Sequence, residues 1–138
     1  MNKRILITGM GVVSAIGNDV AGNYDSLRKG KSGICRVQYL DTEHTEFPVG
    51  EVKLSNEELC QALNIPYTNM ESRTDLLGML AVREALLSAA LIDAKHLALI
   101  SGTTVGGMDR TEKFYPDNLN AVILGNHDCG SGTDRIAD

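Results

Sequence analysis

Two blocks of this chain bring together residue types that do chemistry. Gly9-Met10-Gly11 follows the apolar run Ile5-Leu6-Ile7 and precedes a helical stretch, the order in which a glycine turn and a helix N-terminus cradle a pyrophosphate. Gly125-Asn126-His127-Asp128 sets an amide, an imidazole and a carboxylate behind the apolar Ala121–Leu124, donor types that hold metals for phosphoester hydrolysis. Neither block is complete. Ser14 stands where the dinucleotide fingerprint wants its third glycine, and Lys29–Arg36 is basic where the acidic ribose ligand belongs. A dinuclear centre needs more Asp and His from other strand ends. Here the first apolar run ends in Thr8-Gly9, Asp109-Arg110 lacks a preceding Gly-Asp, and the other histidines are His44 and His96. The expectation is a tight strand-to-helix turn at Gly9–Gly11, a capping or surface role for Asn126–Asp128, no metal and no cofactor.

The elements that would position such groups are legible in the pattern. Ile5–Thr8 reads as a strand buried between layers, apolar on both faces. A helix is expected from Val20 to Lys29, with Gly30 as its stop. Val49–Lys53 is a possible short strand. Ser55-Asn56-Glu57-Glu58 has capping-box spacing and should open a helix reaching Leu63, with Pro66 beyond it. Glu71–Leu91 is the strongest helix: leucines, Met79 and Val82 cover more than half its circumference, and Gly78, Ala81, Ala85 and Ala89 cover much of the rest. Such a helix belongs inside a protein, and its small face admits another backbone. His96–Ser101 reads as a second buried strand before the glycine-rich Gly102–Gly107. Met108–Tyr115 is weakly helical up to Pro116. Ser131–Asp138 opens another helix that no Gly, Pro or basic last turn closes, so the chain is expected to be cut inside an element.

Composition narrows the class. A chain of 138 residues, 43% hydrophobic and 22% charged, has the size of one soluble domain. A formal charge of −5 argues against the basic footprint of a nucleic-acid binder. Cys35, Cys60 and Cys129 are an odd number without metal-type spacing, which favours a reduced cytoplasmic protein over a disulfide scaffold. Cys35 and Cys60 are expected to be buried as small hydrophobes. The apolar run after Met1-Asn2-Lys3-Arg4 is too short for a signal peptide, and no segment approaches the roughly 20 apolar residues of a membrane span.

Read together and in order, Lys3–Gly17, Leu27–Ile34 with its Gly30-Lys31-Ser32-Gly33-Ile34, Arg73–Leu91 and Ser101–Glu112 resemble the start of a β-ketoacyl-[acyl carrier protein] synthase, a thiolase-like condensing enzyme. The resemblance implies an α/β fold of two similar halves with buried helices between two sheets. Residues 1–138 would be most of the first half, with Glu71–Leu91 in the middle layer. It implies that Val105, Gly106 and Gly107 line the acyl-chain pocket near a dimer interface. It implies acyl carrier protein and malonyl or acyl thioesters as partners, in a homodimer or heterodimer. The family's cysteine accepts an acyl group, and decarboxylation of a malonyl unit supplies the carbanion that attacks the thioester.

Asp128-Cys129-Gly130-Ser131-Gly132 looks like the family's nucleophile turn, yet only 21 residues separate Gly107 from Cys129, where the family inserts a helix and a strand. No histidine follows Cys129 to act as base. The nucleophile is therefore expected beyond Asp138, leaving no catalytic residue in this chain and no activity in the chain alone. Ala15 replaces a proline common in the family, and Asn126–Asp138 departs further from its pattern. Two rival readings stand beside this one: a non-catalytic thiolase-like partner subunit, and a metal-dependent phosphoesterase built on Gly125–Asp128, a block that resembles one in metallophosphoesterases.

Overall fold

The structure, a computed structural model, describes residues 4–68, 71–91, 97–110 and 112–113. The chain divides into two compact units, one of Met1–Ser55 with Leu80–Asp93 and one of Asn56–Met79 with Ala94–Asp138. Helices occur in both, and the small two-stranded sheet lies in the first, compatible with an α/β class.

In the first unit, α1 spans Val20–Arg28. Asp19 caps it, its Oδ1 accepting the Gly22 N–H at 2.6 Å, which satisfies one of the first-turn donors every helix leaves open. Gly30 closes it at φ +61°, where a Cβ would be strained; Gly30 donates to Leu27 O and Lys31 to Ser26 O, a Schellman ending. The helix is amphipathic in an inverted sense. Asn23 and Ser26 are buried while Tyr24 and Leu27 face solvent, because the inner face meets a turn of bare backbone rather than apolar side chains. β1 (Cys35–Arg36) pairs antiparallel with β2 (Pro48–Val49), Cys35 opposite Val49 and Arg36 opposite Pro48. Just beyond β1, the Glu51 carboxylate accepts the N–H groups of Gln38, Tyr39 and Leu40.

In the second unit, α2 spans Asn56–Leu63 with Glu57 and Glu58 in its first turn, where carboxylates suit the helix dipole. Leu59 and Cys60 on α2 and Leu76 on α3 (Arg73–Ser88) are fully buried. α2 ends as α1 does, with Asn64 in the left-handed position at φ 58° and Ile65 donating to Cys60 O. The part of α3 from Leu80 onward belongs to the first unit, and there the helix ends in the same way, at Ala90 with φ 55° and Leu91 donating to Leu86 O.

Four expectations are corrected. Ile5–Thr8 and Leu97–Ser101 form no strand, and Ile5 and Ile100 are each 96% exposed. A strand makes no hydrogen bonds within itself, so an apolar run stays unpaired where the described residues offer it no neighbour. The strand placed at Val49–Lys53 is instead Pro48–Val49, because the register with β1 ends the pairing there. The helix expected over Glu71–Leu91 runs over Arg73–Ser88. Its Leu87 is 52% exposed, since a helix apolar all round is buried only when every face has a covering layer.

Candidate functional site

The glycine turn predicted after Ile7 sits on the small face of α3. A Cβ on Gly11 would overlap the Ala81 carbonyl, and one on Gly9 would overlap the Ala85 carbonyl and lie 2.8 Å from Ala89 Cβ. Ala81, Ala85 and Ala89 recur every fourth residue and so line one side of the helix. Polar groups beside that stripe hold the turn. Ser88 Oγ accepts the Met10 N–H at 3.0 Å. Glu84 Oε2 accepts the Val12 N–H at 2.9 Å, and its Oε1 accepts the Val20 N–H, at the first residue of α1, at 2.7 Å.

This arrangement takes up donors that a phosphate cradle would use. A bound pyrophosphate needs free N–H groups at the helix N-terminus. Here Asp19 and Glu84 take the Gly22 and Val20 donors, so the chain's own carboxylates fill the anion's place.

The back of the turn is fixed by α1. Asn23 Nδ2 donates to Gly17 O at 2.8 Å and Asp19 O at 2.7 Å, its Oδ1 accepts from Ser14 Oγ, and Ser26 Oγ donates to Ile16 O at 2.7 Å. Gly17 lies against Asn23, where a Cβ would meet the Asn23 amide. Neither Glu84 nor the pair Asn23 and Ser26 stood out in the sequence. Their only local signal is small polar residues three apart on one face of a short helix.

The Gly102–Gly107 loop is tied to the start of α3. Asp109 Oδ2 accepts the Arg73 N–H at 2.9 Å, acting as a cap from 36 residues away. Gly107 takes φ +72° and its carbonyl accepts the Arg110 N–H. A Cβ on Gly106 would lie 3.0 Å from the Thr103 methyl, and Val105 is 60% exposed. The structure thus brings Val105, Gly106 and Gly107 together on one surface loop.

The cysteines divide. Cys60 is buried as expected; burial first, then the charges of Glu71 and Glu57, push its thiol above the usual range. Cys35 departs from expectation. It is only half-buried and opens into a cleft between the turn at Ser14–Asn18 and the segment Lys31–Cys35, with Lys53 Nζ against its sulfur. Pairing Cys35 opposite Val49 brings it near residues past β2, a consequence of register that no spacing in the sequence announces. Among the described residues no group of three or more His, Cys, Asp or Glu is placed to hold a metal. His96, Gly125–Asp128 and Cys129 lie outside the described residues.

Comparison with known proteins gives one consistent direction. Over 116 residues the chain is 34% identical to 3-oxoacyl-[acyl-carrier-protein] synthase 2 of Staphylococcus aureus strain COL, covering 80% of this chain and 28% of that protein. Over 120 residues it is 34% identical to 3-oxoacyl-[acyl-carrier-protein] synthase I, chloroplastic, of Arabidopsis thaliana, covering 77% of this chain and 24% of that one. The chain therefore spans about a quarter of the length of the curated relatives it matches. No family model matches it, and no solved structure matches it.

Proposed function

We propose that the chain belongs to the β-ketoacyl-[acyl carrier protein] synthase family and forms the N-terminal part of a 3-oxoacyl-[acyl carrier protein] synthase of fatty-acid or polyketide-like biosynthesis. The complete enzyme joins an acyl group held on a cysteine to a carbanion released from a malonyl unit on its carrier. The observation that carries this reading is the identity to two synthases over about four-fifths of the chain. The seating of Gly9 and Gly11 on Ala81 and Ala85 accords with it, because it gives the in-order glycine and alanine positions a packing reason.

Residues 1–138 are, on this reading, an N-terminal domain that supplies scaffold and substrate channel rather than reacting groups. The nucleophilic cysteine and its histidine partners belong to the part of the synthase that this chain does not span. The chain alone then performs no condensation. Val105 lines the acyl channel, with Gly106 and Gly107 letting the backbone pass close to the chain. α3 is the middle layer of a thiolase-like fold, whose further sheets would cover Leu87, Ile5 and Ile100. Acyl carrier protein delivers the substrates, a dimer is the working assembly and the cytoplasm its place. Among the described residues no helix is long and apolar enough to cross a membrane.

A chimera tests the assignment. The stretch of the Staphylococcus aureus synthase that aligns with this chain is replaced by it, and condensation of an acyl primer with malonyl-acyl carrier protein is followed by product mass. Turnover by the chimera supports the reading. A chimera that folds, by its melting transition, and accepts an acyl group yet never condenses would overturn it.

A further inference from the structure

Lys53 Nζ lies against Cys35 Sγ, bringing together an amine and a thiol that are 18 residues apart. Both line an open cleft of about 280 Å³, together with Ser14, Ile16, Lys31 and Ser32. We propose that Cys35 and Lys53 form an acyl relay in which Cys35 takes an acyl group from a small thioester and passes it to Lys53. The proposal rests on this side-chain pair and not on the condensing reading, which concerns groups elsewhere.

The first step is thioester exchange. The Cys35 sulfur attacks the thioester carbonyl carbon, the new C–S bond forms as the old one breaks, and the donor leaves as a free thiol with the Cys35 proton. The second step moves the acyl group by one atom pair. The unprotonated Lys53 amine attacks the carbonyl now bonded to Cys35, a C–N bond forms, and the C–S bond breaks. The amine proton goes to the departing sulfur and restores the thiol. In sum one thioester and one amine become one amide and one thiol, with no change of oxidation state. Contact between Nζ and Sγ makes the second step effectively unimolecular, which is where intramolecular transfer gains its rate. The product lacks the charge that Lys53 presents to Glu51.

The chain carries its own controls. Cys60 is fully buried. Lys29 is exposed and ion-paired with Asp25 at 2.6 Å, so it reports the background reaction of a surface amine. The chain is incubated with S-acetyl-N-acetylcysteamine at mildly alkaline pH and mapped by peptide mass spectrometry. Acetylation of Lys53 should exceed that of Lys29 by about tenfold or more, as proximity of a thioester to the amine provides. In Cys35→Ser the excess should vanish. In Lys53→Arg the acetyl group should remain on Cys35 as a hydroxylamine-labile thioester. Labelling of Lys53 no greater than Lys29, or unchanged in Cys35→Ser, overturns the relay. Should Cys35→Ser fail to fold, Lys53→Arg decides alone: a Cys35 peptide with no labile acetyl group rules the relay out.

Discussion

Glu84 and Val12 lie 72 residues apart and are joined by a 2.9 Å hydrogen bond from the Val12 N–H to the carboxylate. The other oxygen of that carboxylate holds the Val20 N–H at the start of α1. One side chain on α3 therefore fixes both ends of the segment between the glycine turn and α1.

Removing that carboxylate should be costly. Hydrogen bonds to charged acceptors contribute about 1.5–3 kcal/mol each, and Glu84→Ala loses two. We expect a loss of about 3–6 kcal/mol in urea unfolding, with Glu84→Gln intermediate because it keeps one acceptor. A Glu84→Ala midpoint equal to the parent's would show that the clamp adds nothing.

Gly11 and Gly102 make a matched pair. A Cβ on Gly11 overlaps the Ala81 carbonyl, whereas one on Gly102 meets nothing within 4 Å. Gly11→Ala should destabilise by about 3 kcal/mol or more, since backbone must move to relieve the overlap. Gly102→Ala should be near neutral. Equal melting temperatures for the two variants would mean that the turn does not sit on α3.

Ala90 occupies the left-handed position at the end of α3, which costs a residue bearing a Cβ about 1–2 kcal/mol. Glycine takes that conformation freely but loses more entropy on folding, by about 0.5–1 kcal/mol. Ala90→Gly should therefore stabilise by a few tenths to about 1 kcal/mol, read as a higher denaturant midpoint with an unchanged slope. The same substitution at Ala85, inside the helix, should destabilise.

Glu51 predicts an acid limb. Burial pushes its carboxyl up, but the N–H groups of Gln38, Leu40 and Tyr39, with the charge of Lys53, outweigh that and hold it below the ordinary glutamate value. A carboxyl whose value is lowered in the folded state stabilises the fold above its unfolded value. That contribution fades as pH falls through the unfolded value towards the lowered folded one. Glu51→Gln should therefore be less stable than the parent at neutral pH and converge with it in acid. A difference that stays constant from pH 7 to pH 3 would rule out the carboxylate as its source.

Val105→Phe tests the channel in the chimeric synthase. Added bulk typically costs about 1–3 kcal/mol, a roughly 5- to 150-fold bias against chains that reach the site. Products should shorten while the shortest primer turns over as before. Equal losses for short and long primers would remove Val105 from the channel.

Local chemistry along the chain determined the parts that need no distant partner. α1 and α2 lie where their caps and stops place them, Gly30 ends α1, and the alanine face of α3 is visible at four-residue spacing, because each depends on neighbours within a few residues. That face announced that a backbone would approach; only the tertiary structure decided that it is Gly9 and Gly11. Glu84 was silent, and Asn23 and Ser26 left only their three-residue spacing, because a side chain bonded to backbone from another segment leaves no longer periodic trace. The contact of Cys35 with Lys53 was equally silent, set by the register of a two-residue pairing. Ile5–Thr8 and Leu97–Ser101 have strand composition and form none, since a helix closes its hydrogen bonds within itself and a strand takes them from a neighbour.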